Sequence, residues 1–383
     1  MASGIYRLPQ IVEKQLDGSW PTLWYDPPGL KVFGYNINGE LGLGDTIHRS
    51  SPVQVGTLND WQAIATMSVE SVHTLAVKTN GTLWAWGRNT AGSLGLGTTI
   101  SESSPVQVGA LTNWSSVISS GSGSSAAIKT DGTLWTWGGN GYGYLGLGNM
   151  TSKSSPTQVG TSTDWATVEM SDNFTVAIKT DGTFWSWGYN RSGQLGSGAT
   201  TVHRSSPAQV GTLTDWLRVS PGWQYTLASK TDGTLWSWGY NNHGECGQNN
   251  KVQSSSPVKV GLLTNWSATV SAGASASAAL KATGALWVWG RGTHGALGNG
   301  TTTLDNLSPI QIGSLTDWST VHSGQAGMQA IKTDGTLWSW GVNNYGQLGT
   351  GDTIYRSSPI QVGLRTYWTS VRSGYFNVLG LAS

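Results

Sequence analysis

The stretch Ala330–Gly341, AIKTDGTLWSWG, decides the fold. Its Asp334-Gly335 pair favours a tight hairpin, because glycine tolerates the positive φ that such turns require. After the turn, Trp338 and Trp340 lie two residues apart and therefore share one face of a strand. The stretch predicts two antiparallel strands joined by a turn.

This motif recurs along the chain about every 51 residues. Two further markers recur with it, a Trp that follows a segment resembling Leu-Thr-Asp and a Ser-Pro pair, and each occurs seven times. The W-x-W-G glycines are Gly87, Gly138, Gly188, Gly239, Gly290 and Gly341, with a weaker copy at Phe33-Gly34; the marker tryptophans are Trp61, Trp114, Trp165, Trp216, Trp266, Trp318 and Trp368; the prolines are Pro52, Pro105, Pro156, Pro207, Pro257, Pro309 and Pro359. Such a period predicts a repeat architecture of seven units.

Each unit reads as four short strands that are apolar on both faces, so each small sheet needs a neighbour on either side. Radial stacking supplies those neighbours, and the sequence therefore predicts an all-β, seven-bladed β-propeller. An open solenoid would require polar capping repeats, which the ends do not resemble. Residues 371–381 match the first two strands of a unit, and residues 30–34 match a third strand. We expect these termini to pair and to close the ring.

The pattern resembles the regulator of chromosome condensation repeat family. The resemblance rests on the G-x-N-x-x-G-Q-L-G boxes at 188–196 and 341–349, the S-S-P-x-Q-V element and the run quoted first. The resemblance covers residues 30–381. The family includes bacterial and phage proteins, and we assign this chain to that type. The family implies the propeller, but it includes a nucleotide exchange factor, a plant photoreceptor and a β-lactamase inhibitor, so fold alone does not identify function.

Composition narrows the class of partner. Charged residues make up 11% of the chain and the net charge is +1, without a long basic run, so we expect no nucleic acid as a partner. We also expect no membrane insertion, because no stretch of 18 apolar residues occurs. Residues 1–10 lack the pattern of a secretory signal, which predicts a virion or cytoplasmic location.

Residues that recur from unit to unit are interpreted as scaffold. Asp60, Asp164, Asp215 and Asp317 before the marker Trp, and Asp131, Asp181, Asp232 and Asp334 in the hairpins, are expected to form turn hydrogen bonds. The lysines before the hairpins, such as Lys230, read as solvated strand ends. Cys246 stands where other units have Leu and is expected to be buried. We find no catalytic set, no metal-ligand spacing and no cofactor motif.

Candidate partner-binding residues lie where the units differ. The loops between first and second strands carry an aromatic and polar set that we expect to gather around the channel: Trp223, Tyr225, Phe174, Tyr375, Phe376 and His73. A plug for the channel mouth is the alternative. Arg49, Arg204 and Arg356 stand at equivalent positions before Ser-Pro and could contact a partner or glycan; a solvated rim is the alternative.

Residues 1–29 precede the propeller (30–383) and are rich in apolar side chains. We interpret them as an attachment arm whose contact residues are Ile5, Tyr6, Leu8, Trp20, Trp24 and Tyr25. Together these features favour a non-enzymatic structural or binding protein, namely a component of a phage virion or tail. We expect it to bind protein partners in a larger assembly, or a surface glycan. The alternative is a partner-recognition or inhibitor module, with GTPase exchange below both.

Overall fold

A computed structural model describes residues 29–67, 73–324, 327–374 and 376–382. These residues form seven four-stranded antiparallel sheets, which we number as blades in chain order. Blade 1 contains β3 (Trp61–Met67), β4 (His73–Lys78), β5 (Leu83–Gly87) and β6 (Glu102–Gln107). Blade 2 contains β7 (Trp114–Ser119), β8 (Ser124–Lys129), β9 (Leu134–Gly138) and β10 (Lys153–Gln158). Blade 3 contains β11 (Trp165–Met170), β12 (Phe174–Lys179), β13 (Phe184–Gly188) and β14 (Arg204–Gln209).

The remaining blades repeat this order. Blade 4 contains β15 (Trp216–Pro221), β16 (Tyr225–Lys230), β17 (Leu235–Gly239) and β18 (Ser254–Lys259). Blade 5 contains β19 (Trp266–Ala272), β20 (Ala276–Lys281), β21 (Leu286–Gly290) and β22 (Asn306–Gln311). Blade 6 contains β23 (Trp318–Ser323), β24 (Gly327–Lys332), β25 (Leu337–Gly341) and β26 (Arg356–Gln361). Blade 7 contains β27 (Trp368–Ser373), β28 (Asn377–Ala382), β1 (Gly29–Gly34) and β2 (Arg49–Gln54).

Blade 7 is assembled from both ends of the chain, as the sequence predicts. Strand β1 pairs antiparallel with β28, with Leu30 opposite Leu381 and Phe33 opposite Val378. The first strand of each blade contacts the first strand of the next, and β27 of blade 7 contacts β3 of blade 1. The ring is therefore closed, and its seven first strands surround a central channel. The arm residues at 1–28 lie outside the described part.

An indole fills each of six boundaries between blades. In blade 4, Trp238 is fully buried, and its Nε1–H donates to the carbonyl of Gln194 in the preceding blade at 2.9 Å. Five other tryptophans donate in the same way: Trp86 to Glu40, Trp137 to Ser93, Trp187 to Tyr144, Trp289 to Glu245 and Trp340 to Ala296. Each donor thus belongs to one blade and its acceptor to the previous one.

The second glycine of each G-x-L-G box leaves space for the indole of the next blade. A Cβ on Gly196 would lie 2.8 Å from Trp238 Nε1, which is closer than real Cβ contacts, and the residue has φ +73°. At the boundary between blades 6 and 7, Gly349 faces Phe33 instead of Trp, with 2.9 Å between a built Cβ and Phe33 Cε2. Phe33 therefore occupies the indole position where the ring closes.

Substituting Gly349→Ala tests this closing contact. Both Gly349 (φ +70°) and Gly351 (φ +82°) have left-handed backbone, which costs an L-residue about 1–2 kcal/mol. Only at Gly349 does the added methyl also meet Phe33, whereas at Gly351 the nearest atom is 3.6 Å away. We expect Gly349→Ala to lower the free energy of unfolding by about 1–3 kcal/mol more than Gly351→Ala in urea titrations. Equal losses would contradict contact between Phe33 and Gly349.

The repeated lysines are not solvated strand ends, so that expectation is wrong. Lys230 Nζ lies 4.7 Å and 4.6 Å from the ring centres of Trp216 and Trp236, and 3.3 Å from Asp215 Oδ1. The same ion pair forms in three other blades: Lys78–Asp60, Lys179–Asp164 and Lys332–Asp317. These aspartates were expected to bond within turns. Instead, their side chains neutralise an ammonium held between two aromatic faces.

Blade 5 departs from this arrangement because Asn265 stands where blade 4 has Asp215. Lys281 Nζ donates to Asn265 Oδ1 at 2.9 Å and lies 3.2 Å from the Trp266 ring centre. Burial lowers the pKa of Lys281 to about 8. Between about pH 8 and the ordinary lysine pKa of 10.5, the unfolded chain binds more protons at this residue than the folded chain does. Stability from this residue therefore rises with pH through that window.

We expect Asn265→Asp to recreate the ion pair that blades 1, 3, 4 and 6 contain. The new carboxylate should raise the pKa of Lys281 and add about 0.5–1 kcal/mol to the free energy of unfolding at pH 7. The measurements are an NMR titration of the lysine side chains and urea unfolding at pH 7 and pH 9.5. Asp215→Asn is the matched reverse change and should destabilise. An unchanged Lys281 pKa in Asn265→Asp would contradict this account.

Other scaffold expectations are confirmed. In the hairpins, Asp232 Oδ1 accepts from the backbone N–H and the hydroxyl of Thr234, and Asp131, Asp181 and Asp334 do the same in their blades. Cys246 is buried in the core of the boundary between blades 4 and 5, and burial raises the pKa of its thiol to about 12. The fourth strands include the Ser-Pro pair: β18 contains Pro257, at a register shift on the edge of the blade.

Candidate partner-binding face

Antiparallel order within each blade separates two faces of the ring. The loops joining first to second strands and those joining third to fourth strands emerge together, on what we call the loop face. The hairpins and the connections between blades emerge on the opposite face. Side chains at the tips of these two loop types therefore share one face of the ring.

Three of the predicted contact residues are not on the loop face. Each is the first residue of a second strand, and the second strands are enclosed between blades. Phe174, Tyr225 and His73 are all fully buried. The hydroxyl of Tyr225 donates to the carbonyl of Ala276 at 3.0 Å, and burial raises its pKa well above the usual value. These residues hold neighbouring blades together, and assigning them to a partner surface was wrong. Tyr375 lies outside the described residues.

Trp223 is on the loop face, as predicted. Its side chain is 42% exposed and packs edge-on against Tyr240, with 5.8 Å between ring centres. Tyr240 follows the W-x-W-G box of the same blade, and its hydroxyl accepts from Asn242 Nδ2 at 2.9 Å. A large aromatic surface is thus held in place by a second aromatic ring.

Two tyrosine–histidine stacks occupy equivalent places on the same face. Tyr35 stacks on His48, and Tyr189 stacks on His203, each with 4.9 Å between ring centres. In both histidines Nδ1 accepts a backbone N–H, at 2.9 Å for His48 and 3.0 Å for His203. In the neutral ring the proton therefore sits on Nε2, which can act as a donor.

A tyrosine from the preceding blade completes each stack. Tyr345 packs against Tyr35 at 4.9 Å, and Tyr142 packs against Tyr189 at 4.8 Å. The predicted contact residue Phe376 joins the first group, 4.8 Å from Tyr345. Tyr142 is 40% exposed, so the second group presents a wide aromatic surface.

These groups follow an arc over part of the loop face. Together with a contact between His294 and Tyr355, they lie at blades 2–3, 4, 5–6 and 6–7. We call this arc the aromatic arc; its members are Tyr142, Tyr189, His203, Trp223, Tyr240, His294, Tyr355, Tyr345, Tyr35, His48 and Phe376. The sequence did not lead us to Tyr35, Tyr189 and Tyr240. Each directly follows the glycine that ends the third strand, where other units have Arg, Gly or Val.

The three predicted arginines occupy equivalent positions, each opposite a box glycine in the sheet. Two of them stabilise their own loops, since Arg49 pairs with Asp45 at 2.5 Å and Arg356 pairs with Asp352 at 2.6 Å. Both also donate to a carbonyl of their own loop. Arg204 forms no such ion pair among the described residues. Loop stabilisation thus accounts for Arg49 and Arg356 without a partner.

Within the described ranges, no group of three His, Cys, Asp or Glu side chains is arranged to hold a metal ion. The same residues contain no helix of the length and apolarity needed to span a bilayer.

Comparison with known protein families shows to which family this chain belongs. The model of the regulator of chromosome condensation (RCC1) repeat matches residues 80–128, 131–178, 181–229, 232–280, 283–327 and 334–381. The chain belongs to the RCC1 repeat family. A second model of the same repeat matches four shorter segments between residues 116 and 296.

Curated relatives of this RCC1-repeat chain include proteins from plants and mammals. It is 32% identical to the ultraviolet-B receptor UVR8 of Arabidopsis thaliana, over 89% of this chain and 67% of that protein. It is 26% identical to the human E3 ubiquitin-protein ligase HERC2, over 88% of this chain but 6% of that protein. It is 32% identical to the mitochondrial RCC1 domain-containing protein RUG3 of Arabidopsis thaliana, over 70% of this chain and 63% of that protein. These relatives do not support the expected bacterial or phage type.

Solved structures show the same fold. Human WBSCR16 superposes with a TM-score of 0.82 at 19% identity, covering 93% of this chain and 99% of that one. Prp20p of Saccharomyces cerevisiae superposes with a TM-score of 0.80 at 20% identity, covering 96% and 95%. The Prp20p structure is described together with that protein's binding to Gsp1p and histones.

Paired substitutions in blade 4 test which aromatic residue is surface and which is core. We expect Trp223→Ala to change the free energy of unfolding by less than about 1 kcal/mol, because its ring is exposed. Tyr225→Phe should cost about 1–3 kcal/mol, because it leaves the Ala276 carbonyl without this donor in a buried place. Urea unfolding followed by circular dichroism measures both. A larger loss for Trp223→Ala than for Tyr225→Phe would reverse the assignment.

Proposed function

We propose that this propeller is a protein-recognition module that binds its partner through the aromatic arc of the loop face. The observation that supports this most is the exposed Trp223, packed against Tyr240, on the same face as two tyrosine–histidine stacks. Tryptophan and tyrosine dominate the energetics of protein interfaces, since each buries a large area with few rotatable bonds. The proposal is the alternative interpretation of the sequence; its aromatic set keeps Trp223 and Phe376 from that interpretation and replaces the buried residues.

Fixed geometry adds to this support. The loop that carries the first stack is tied by Asn36, whose Nδ2 donates to the carbonyls of Asp45 and Ile47 at 3.0 Å and 3.2 Å. Asn190 ties the second loop in the same manner through Ala199 and Val202. A surface that is already ordered loses little entropy on binding, so more of its contact energy appears as affinity.

The family context agrees with binding but does not name a partner. Prp20p has the same fold and is described as binding Gsp1p and histones, while UVR8 is named as a receptor. The binding of Gsp1p or histones and the response to ultraviolet-B light belong to those proteins and form no part of the proposal for this chain. HERC2 is named as a ligase, but this chain aligns with 6% of its length. The name therefore does not indicate ligase activity in the repeats. The virion role has no support among these relatives; the attachment arm and a glycan ligand stay predictions.

Site-specific photo-crosslinking tests the proposal. A benzophenone amino acid is placed at Trp223 on the loop face and, as matched control, at Leu262, which is 91% exposed and lies on the opposite face. In cells that express the protein naturally, we expect a discrete crosslinked protein band from position 223 and none of that mass from position 262.

A second change distinguishes specific binding from proximity. Tyr142→Ala removes a 40% exposed ring from the arc without touching Trp223, and we expect it to weaken the crosslink at 223 about tenfold. Leu364→Ala, on the opposite face, removes a 93% exposed side chain and should leave the crosslink unchanged. Crosslinks that form equally from both faces, or that ignore Tyr142→Ala, would overturn the proposal.

A further inference from the structure

Blades 1–6 each enclose a lysine in an aromatic cage. The lysine ends the second strand, and its ammonium lies within 5.4 Å of two ring centres, those of the marker Trp and of the first Trp in the third strand. In blade 4 the three residues are Lys230, Trp216 and Trp236. In blades 1, 3, 4 and 6 an aspartate pairs with the lysine. A complete cage therefore has two indoles, a cation and a carboxylate.

Blade 7 departs from this cage at three of its four positions. Its marker Trp368 pairs with Ala382, whereas the marker tryptophans of the other blades pair with the lysine. Lys31 takes the place of the first Trp of the third strand, and Tyr367 that of the aspartate. Lys31 is enclosed, and its Nζ donates to Gln54 Oε1 at 3.0 Å. Blade 7 thus lacks the second indole, the caged lysine and the carboxylate.

A groove lies at this place between blades 6 and 7. We call it the closing groove; its lining includes Trp368, Arg365, Gln54, Pro52, Ile360 and Val362. Its volume is about 580 Å³, compared with about 410 Å³ and 360 Å³ for the equivalent grooves between blades 2 and 3 and between blades 4 and 5. Both smaller grooves are lined by two cage tryptophans. The larger volume agrees with the loss of cage side chains from blade 7.

The chain enters blade 7 beside this groove. A Cβ built on Gly29 would lie 3.2 Å from Nε2 of Gln54, which lines the groove. In blades 1 and 3 the equivalent Gln107 and Gln209 donate Nε2 to the carbonyl of the second residue that follows. Gln54 Nε2 is buried and has no acceptor among the described residues. The segment that precedes Gly29 therefore reaches both the groove and a donor that lacks a partner.

A cation is held at the groove by aromatic neighbours. Arg365 stands where the connection into blade 4 has Leu213. Its Cζ lies 5.4 Å from the ring centre of Tyr367, and that ring lies 6.1 Å from the ring of Trp368. One indole and one cation of a cage are thus present in the closing groove.

The sequence before Gly29 contains the two groups that the groove lacks. Trp24 and Asp26 are two residues apart, so an extended segment presents their side chains on one side. The five residues from Trp24 to Gly29 span at most about 18 Å. Pro27 and Pro28 restrict the conformations of the intervening chain, which lowers the entropy that docking must remove.

We propose that residues 24–26 dock in cis in the closing groove and complete the cage of blade 7. The Trp24 indole packs beside Trp368 as the second aromatic wall, and the Asp26 carboxylate pairs with the Arg365 guanidinium. The other blades take their cage from their own strands and connections, whereas blade 7 divides it between the propeller and the arm. Of the predicted attachment residues, those at 5–8 then stay available for another protein.

Disulfide formation in the full chain tests the docking. Tyr25→Cys is combined with Thr366→Cys, an exposed position next to Arg365, or with Asn59→Cys. Asn59 is the matched control, because it is the equivalent exposed residue on the other side of blade 7 and follows Leu58, whose carbonyl lies 3.1 Å from a Cβ built on Gly29. Cys246 does not compete, since burial raises the pKa of its thiol to about 12.

We expect a disulfide within one chain to form at least about tenfold faster with position 366 than with position 59, because docking raises the effective concentration at one side only. Trp24→Ala should lower the rate at 366 to that at 59. Trp20→Ala, which removes an indole outside the docked segment, should leave the rate unchanged. Equal rates at both positions, a disulfide between two chains, or no effect of Trp24→Ala would overturn the proposal.

Chymotrypsin, which cleaves after aromatic residues, tests the ion pair in the chain without added cysteines. Docking protects the bond after Trp24, so Arg365→Gln should increase cleavage there at least about fivefold. Lys259→Gln is the matched control, because it removes a cation from the groove between blades 4 and 5. Unchanged cleavage in Arg365→Gln, or an equal increase in Lys259→Gln, would contradict the pairing of Asp26 with Arg365.

Discussion

The whole ring depends on a large aromatic side chain that is held between each pair of blades. At six boundaries this side chain is an indole whose N–H donates to the blade before it. A single small sheet has two apolar faces and cannot be stable in water by itself. Burying about 200 Å² of indole at each boundary contributes roughly 4–6 kcal/mol of transfer free energy before entropy is counted. The matching glycine leaves space for that indole, so Trp in one repeat and Gly in the previous one act as a pair. Phe33 fills the same space against Gly349 where the chain ends meet.

This pairing explains why the fold could be predicted from sequence and the candidate site only in part. Trp238, Gly196 and Asp232 have counterparts in most units because each unit has the same neighbours, so their spacing reports the architecture directly. The pairing of residues 30–34 with 377–381 followed from what each terminus lacked. Phe174, Tyr225 and His73 misled the prediction, because a residue at a loop boundary can point either outward or between blades. A sequence pattern does not distinguish the two until the register of the second strand is known.

The residues that were missed share a different cause. Tyr35 and Tyr189 meet His48 and His203 only because the third and fourth strands return the chain to the same edge, about 13 residues later. Lys230 appeared solvated because its two tryptophan partners and Asp215 are contributed by different strands and loops of the blade. In each case the contact is long-range, and composition alone gives no sign of it.

Hydrogen exchange followed by mass spectrometry tests the closed ring most directly. If blade 7 is stitched from both termini, peptides covering 29–34 and 377–382 will be protected to the same degree as the equivalent strands β17 and β16 of blade 4. All four should exchange only through global opening. Rapid exchange in the two terminal strands, alongside full protection in blade 4, would show an open row of sheets and would contradict the account.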